Sequence, residues 1–319
     1  MSKQIKNGKA FEYALLSESY RILKEVGTVI IVENSSLKKA KDFFNEFDSK
    51  KQNSFKIAAL KAVEFIKTLE PRLLSSKLKN DILSIELVSD KAGQAGDVRD
   101  VVFIRSKQNW EIGISAKNNH RAVKHSRLSQ KLDFGEKWLG VACSSNYFIE
   151  IEAVFEMLKK LKAKDKNTKW SSIENMHQVV YLPILNAFKK ELIRLDSENN
   201  RVIAERLVKY LIGHQDFYKV IKGKDLVEVQ AYNLGNTLGQ AAGSLKPKIK
   251  VPRLKLPSRI IEVVFKEESL NTLIVALDEG WQISFRIHNA SSRVGPSLKF
   301  DVNLISSPHT LFTNHIYTK

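Results

Sequence analysis

Residues 101–117, VVFIRSKQNWEIGISAK, constrain this chain more than any other stretch. Two runs rich in β-branched and aromatic residues flank the polar SKQN, which predicts an antiparallel hairpin. Side chains alternate across a strand. Trp110, Ile112, Ile114 and Ala116 therefore share one face, and Glu111, Gly113, Ser115 and Lys117 the other. The first set is an ordinary core face. The second is acidic, small, small and basic, and packing alone gives no reason for it. Gly113 leaves room for something to approach the backbone closely. Asp100 heads the first run, and Asp97 stands earlier in a glycine-flanked loop. The hairpin thus carries carboxylates at the head of one strand and a lysine at the end of its neighbour.

The surroundings follow an α/β pattern. In NGKAFEYALLSESYRILKEVG, Phe11, Leu15 and Ile22 recur at helical spacing, and Gly27 is a stop. TVIIVEN predicts a short strand. SLKKAKDFFNEF and SFKIAALKAVEFIKTLE predict helices, the second closed by Pro71, and ILSIELVS is a further strand. From residue 143 to 213 the pattern is mostly helical: YFIEIEAVFEMLKKL, VVYLPILNAFKKELIRL and RVIAERLVKYLIG space apolar residues three and four apart, as core helices do. Beyond it, LVEVQAYN, SRIIEVVF, NTLIVAL, WQISFRIHN and LKFDVNLI are strand-like, with DEG as a hairpin turn. GSLKPKIKVPRLKLP reads as an extended connection. The expected division is an α/β part over 1–215, with its helical segment at 143–213, and a β-rich part over 216–319.

Charge narrows the function classes. The chain has 52 Lys and Arg against 35 Asp and Glu, a net charge of +17. Such an excess favours polyanions, nucleic acid before an anionic membrane. No apolar run approaches the length that spans a bilayer, and Glu12 interrupts any signal-peptide core in the basic N-terminal stretch. A lone Cys143 excludes an intramolecular disulfide and a multi-cysteine zinc site, and reads as a small buried thiol. A reducing cytoplasm and no membrane partner are expected.

The placement of the charge is more informative than its sum. NNHRAVKHSRLSQK follows Lys117 directly and contains no acid. Its Asn118, Asn119, His120, Lys124, His125 and Arg127 suit a nucleic-acid backbone. In WQISFRIHNASSRVGPSLKF, Ser284, Arg286 and His288 alternate onto one face, and Asn289, Ser291, Ser292 and Arg293 form the following loop. These side-chain types read base edges and grip phosphates, although Arg286 could instead pair with an acid such as Asp301. At the hairpin, carboxylates beside a lysine suit a hard divalent cation such as magnesium, which takes a few carboxylates, a carbonyl and waters. A lysine there can orient or help deprotonate an attacking water, while the metal neutralises charge on a phosphate. Glu12, on the first helix, could also reach such an ion.

GDVRDVV…WEIGISAK resembles the PD-(D/E)xK nuclease core, in a variant where Ser115 replaces the acid of the final triplet. A longer set comprises GDVRD, WEIGIS.K, NH.AVKHSRLS, DFGEKW and SFRIHNAS…PSLKFD, with FEYAL and VENSS near the N-terminus. Together these resemble the HaeIII-type family of type II restriction endonucleases over most of the chain. The resemblance implies a mixed sheet flanked by helices, and magnesium-dependent hydrolysis of double-stranded DNA at GGCC. A homodimer on the symmetric site is expected, with a cognate DNA methyltransferase as a functional rather than physical partner. It implies Asp100 as the motif aspartate, with Asp97 competing, and Lys117 as the motif lysine. Ser115 leaves a carboxylate to be supplied by Glu111 or Glu12. Asp97, Asp100, Glu111, Ser115 and Lys117 are thus the catalytic candidates, and Asp97, Asp100, Glu111 and Glu12 the metal candidates. Two rival readings stand beside this one. One is a nuclease of the same core with another specificity, in repair or defence. The other is a basic DNA-binding protein whose hairpin carboxylates are inert.

Overall fold

The computed structural model describes residues 3–76, 78, 80–89, 97–119 and 122–319. Its first elements are α1 (Lys3–Leu23), β1 (Val29–Ile31), α2 (Ser35–Asn45), α3 (Ser49–Leu69), the one-turn α4 (Pro71–Leu74) and β2 (Leu83–Leu87). The hairpin strands β3 (Val101–Arg105) and β4 (Trp110–Asn118) follow, then β5 (Lys124–Leu128), α5 (Ser145–Lys164), α6 (Leu182–Glu198) and α7 (Ile203–Ile212). After these come β6 (Phe217–Lys222), β7 (Leu226–Tyr232), β8 (Ile260–Phe265), β9 (Thr272–Leu277), β10 (Gln282–Asn289), β11 (Leu298–Ser306) and β12 (Phe312–Tyr317).

Local chemistry starts several of the helices. The side chains of Asn34, Asp48 and Ser144 accept from the amides of Leu37, Lys51 and Tyr147, capping α2, α3 and α5. Pro71 does more than end α3. It occupies the first turn of α4, where its missing N–H is no loss.

The chain forms two compact units, the first comprising Met1–Arg121, His214–Lys255 and His309–Lys319, and the second Ala122–Gly213 and Leu256–Pro308. Among the described residues, the first unit holds a seven-stranded mixed sheet in the order β1-β2-β3-β4-β6-β7-β12. The β2–β3–β4 meander is antiparallel, and β4 then pairs with β6 in parallel. A parallel neighbour requires a long crossover, and residues 122–213 of the second unit lie within it. Helices α1 and α3 supply Phe11, Leu15, Phe55 and Ile66 to a core with Ile85, Val101, Phe103, Ile112, Ile114 and Val229 of the sheet. The apolar face of the hairpin is buried as its alternation predicts.

The second unit contains α5–α7 and an antiparallel sheet of the described strands β5-β11-β10-β9-β8. Phe285 and Phe300 pack on Phe188 of α6, and Trp138 stacks on Tyr210 of α7. Cys143 Sγ accepts from the Gly135 amide at 3.2 Å, and burial with Asp133 beside it pushes its thiol up. That suits an unreactive thiol. Among the described residues, no helix is long and apolar enough to cross a membrane.

The compact units do not divide at residue 215. Strands β6, β7 and β12 complete the first sheet, whereas β8–β11 join β5 and the helices of the second. Strand partnership is non-local, so a change of pattern along the chain does not mark a change of sheet.

Candidate active site and nucleic-acid face

Asp100 precedes β3, and its carboxylate reaches across to β4. Its Oδ2 accepts from the Ala116 amide at 2.7 Å and from Ser115 Oγ at 3.4 Å, with Lys117 Nζ at 3.5 Å. The Asp100 amide donates to Ile114 O at 2.8 Å, which fixes the backbone on which this carboxylate stands. Ser115 is 2% exposed, and its hydroxyl serves Asp100 rather than adding a charge. From α1, which packs on β4, the buried Glu12 joins the same charge network. Burial pushes its carboxyl up to about 7, the charge of Asp100 adds to this, and Lys9 and Lys117 oppose it. Lys9 Nζ donates to Glu12 Oε2 at 3.0 Å.

Asp97 and Glu111 belong to a different arrangement. Arg99 Nε and Nη2 donate to the two Asp97 oxygens at 2.9 and 2.8 Å, and Nη1 donates to Glu111 Oε1 at 2.7 Å. The stem of Arg99 lies against Gly113, where an added Cβ would stand 2.3 Å from Arg99 Cδ. The group that approaches the backbone there is a side chain of the protein itself. Burial raises the Asp97 carboxyl, but hydrogen bonds from Arg99 outweigh it and hold the group below the usual carboxylate range. Two acids thus neutralise one buried guanidinium. Of the four carboxylates named as metal candidates, these two pair with Arg99, Asp97 through both oxygens and Glu111 through Oε1 alone.

Glu12 and Asp100 are the two metal candidates that Arg99 does not bind. Among the described residues, no three His, Cys, Asp or Glu side chains gather as a protein metal cage requires. A pair of carboxylates suits neither structural zinc nor calcium. Magnesium fits, because it is commonly held by one or two carboxylates, several waters and the substrate's phosphate.

The two polar clusters of the sequence meet on the second sheet. The register sets Arg127 of β5 opposite Lys299 of β11, and His125 opposite Asp301. On the other side of β11, Asp301 faces Arg286, Lys299 faces His288 and Asn303 faces Ser284. The intervening Leu128, Phe285, Ile287, Phe300 and Val302 are buried, so the polar residues form one outward face. Arg286 Nη2 lies 3.5 Å from Asp301 Oδ2, and His125 Nδ1 lies 3.6 Å from Asp301 Oδ1.

The profile of the HaeIII restriction endonuclease family matches residues 8–308. The type II restriction enzyme HaeIII of Haemophilus aegyptius is 40% identical over 312 residues, 97% of this chain and 96% of that protein. This chain belongs to the HaeIII restriction endonuclease family. It is accordingly a site-specific endonuclease. No solved structure matches it significantly.

For a HaeIII-family endonuclease, the expected DNA contacts are unevenly available. Lys124, one of them, is turned away from the outward face: its Nζ donates to Tyr210 O at 2.8 Å and sits 3.7 Å from that ring's centre, where burial lowers its pKa. Alternation explains the correction. Lys124, Ser126 and Leu128 face the helices, leaving His125 and Arg127 outside. Asn118 closes β4 with its Oδ1 buried and, among the described residues, unpartnered. Asn119 takes a left-handed turn at φ 53°, and its amide donates to Lys222 O at 2.8 Å. His120 lies outside the described residues. In the loop, Asn289 Nδ2 donates to Ser291 O and Ser291 Oγ to Arg293 O, both at 2.7 Å, while Trp170 Nε1 anchors Arg293 O at 2.8 Å. Asn289 and Ser291 therefore shape the loop, and the Ser292 and Arg293 side chains are exposed.

Sequence reasoning missed Arg99, Lys299 and Asn303. For the last two a signal existed: LKFDVNLI alternates Lys, Asp and Asn with apolar residues, just as FRIHN does. Arg99 stands between the aspartates of GDVRD and reads there as part of a motif.

Proposed function

We propose that this endonuclease hydrolyses phosphodiester bonds of double-stranded DNA at GGCC, with magnesium, through a PD-(D/E)xK core. The observation that carries the proposal is the convergence of Asp100, Lys117 and Glu12 at one end of β4. A mixed sheet flanked by helices, with Asp100 heading one strand and Ser115-x-Lys117 on its neighbour, supports that core. GGCC comes from the HaeIII-type resemblance, which the 40% identity to a HaeIII enzyme supports.

In this reading Asp100 and Glu12 hold the metal, Glu12 supplying the carboxylate that Ser115 lacks. Bound magnesium would neutralise charge developing on the scissile phosphate. Lys117 orients the attacking water and its ammonium, held in place by the Asp100 carboxylate, stabilises the negative charge that develops as the water gives its proton to solvent. Ser115 Oγ and the Ala116 amide orient Asp100. Arg99, with Asp97 and Glu111, braces the strand without touching the reacting atoms. On the second sheet, Arg286 and His288 face base edges, and His125, Arg127, Lys299, Ser292 and Arg293 face phosphates. A palindromic site calls for a homodimer on DNA, in a cytoplasm where a cognate methyltransferase protects the host sites.

The test is plasmid DNA incubated with magnesium, with the product ends sequenced. Discrete GGCC ends are expected. Discrete ends of another sequence would keep the core and replace the specificity, and intact DNA would contradict the proposal.

A further inference from the structure

Asp301 stands at the centre of the polar face of the second sheet, on β11 between Arg286 of β10 and His125 of β5. Its two oxygens are treated differently. Oδ2 is 3.5 Å from Arg286 Nη2, a loose pair on an arginine side chain 56% exposed. Among the described residues, Oδ1 is buried and has no hydrogen-bond partner, with His125 Nδ1 standing off at 3.6 Å. An unsatisfied buried carboxylate oxygen is costly to a free protein. Its surroundings make it odder still. Among the residues described on this face of β5, β11 and β10, Asp301 is the only acid, beside Arg127, Lys299, Arg286 and His288.

A face that only gripped phosphates would have no use for an acid at its centre, because a carboxylate repels the backbone. A base edge does have a use for one. In the major groove a G·C pair presents guanine N7 and O6 as acceptors and cytosine N4 as a donor. We infer that Arg286 and Asp301 read one G·C pair as a unit, Arg286 donating to guanine N7 and O6 and Asp301 Oδ1 accepting from the cytosine amino group. The inference rests on the GGCC reading above. In the free protein the two side chains hold each other. On the site Arg286 leaves Oδ2 for guanine, and the freed carboxylate turns Oδ1 to the cytosine amino group. The pair also rejects: an A·T pair sets the adenine amino group against Arg286 and thymine O4 against Asp301, so both contacts become repulsive.

The experiment is equilibrium binding with calcium in place of magnesium, using a GGCC duplex and versions modified one position at a time. N4-methylcytosine blocks the groove-side amino hydrogen, and 7-deazaguanine removes N7. For the wild type, one cytosine position and its paired guanine should each weaken binding by roughly 5- to 100-fold when modified. Asp301→Ala should be weaker on the plain site and insensitive to that N4-methyl group. Arg286→Ala should be insensitive to the 7-deaza change. Because the wild-type arms need no variant, a misfolded variant cannot imitate the result. The inference is overturned if N4-methylation costs Asp301→Ala as much as the wild type at every cytosine. It is equally overturned if Asp301→Ala weakens GGCC and unrelated duplexes alike. Wild-type protein that binds GGCC no better than a scrambled duplex would instead remove the GGCC reading, and the base-pair assignment with it.

Discussion

The two sheets of this endonuclease handle charge in opposite ways. Beside β4 of the first sheet the polar atoms are close-fitted. Arg99 meets Asp97 and Glu111 at 2.7–2.9 Å, and Asp100 takes the Ala116 amide at 2.7 Å. On the second sheet Arg286 and His125 flank Asp301 at 3.5 and 3.6 Å, with both of these side chains more than half exposed. The contrast follows the work proposed for each. Chemistry needs groups already in place when charge develops, because reorganising them then would add to the barrier. Recognition needs side chains that can leave a protein partner for a base. The tight bonds fix the backbone and strand around the first site, while Lys117 itself stands 3.5 Å from Asp100.

The comparison breaks most visibly at Lys117 and Asp100. Lys117→Ala should lower single-turnover cleavage by about a thousandfold or more, while specific binding persists. Asp100→Ala should behave alike, and should bind site DNA more tightly without metal, since the carboxylate no longer repels phosphate. Lys117→Ala cleaving at the wild-type rate would remove the lysine from the chemistry.

Next in size is the Arg99 brace. Removing one partner of a buried ion pair leaves charge uncompensated, so Arg99→Ala should destabilise the protein by about 3 kcal/mol or more in urea titration. Gly113→Ala should also destabilise, because its Cβ would strike the stem of Arg99. Glu111→Ala should be milder, as that side chain is 47% exposed. An Arg99→Ala protein as stable as the parent would show that the triad is not braced.

How much of this was legible depends on whether the physics was local. The hairpin faces, Asp100 and Lys117 could be read from a period of two within a few residues. The partner of Gly113 could not, because a missing side chain announces a close approach without saying what approaches. Lys124 was misread for the opposite reason. KHSRL has the composition of a charged stretch and hides its alternation as a strand, in which the lysine faces Tyr210. The union of β5 with β10 and β11 is a long-range pairing that no local pattern encodes. FRIHN was correctly seen to be one-faced, but its neighbours on the sheet were not visible.

A smaller effect concerns pH. Glu70 is fully buried, accepts from Tyr218 OH at 2.8 Å and the Gly239 amide at 2.6 Å, and burial pushes its carboxyl up to about 7. A carboxyl near 4.5 when unfolded and near 7 when folded adds stability that is full below pH 4.5 and is lost as pH rises through 7. Urea midpoints across that window should fall, and Glu70→Gln should flatten the curve by about 1–3 kcal/mol. Glu12 titrates in the same direction, so some slope should remain. An unchanged slope in Glu70→Gln would mean that this carboxyl is ionised throughout.

The smallest effect separates the two faces of β5. Arg127→Ala should weaken binding to all sequences alike and reduce the salt slope by about one counterion. Lys124→Met should leave the slope unchanged, because its ammonium is already spent on Tyr210. Equal slopes for the two variants would erase the distinction.

The central claim is that Glu12, and not the Arg99-bound Glu111, completes the acid set with Asp100. Cleavage of a GGCC duplex titrated with magnesium tests it directly, using Glu12→Ala and Glu111→Ala beside the parent. Glu12→Ala should need far more magnesium to reach half its maximal rate, and Glu111→Ala should follow the parent curve. A shifted curve for Glu111→Ala with an unshifted one for Glu12→Ala, or two curves that both match the parent, would contradict the account.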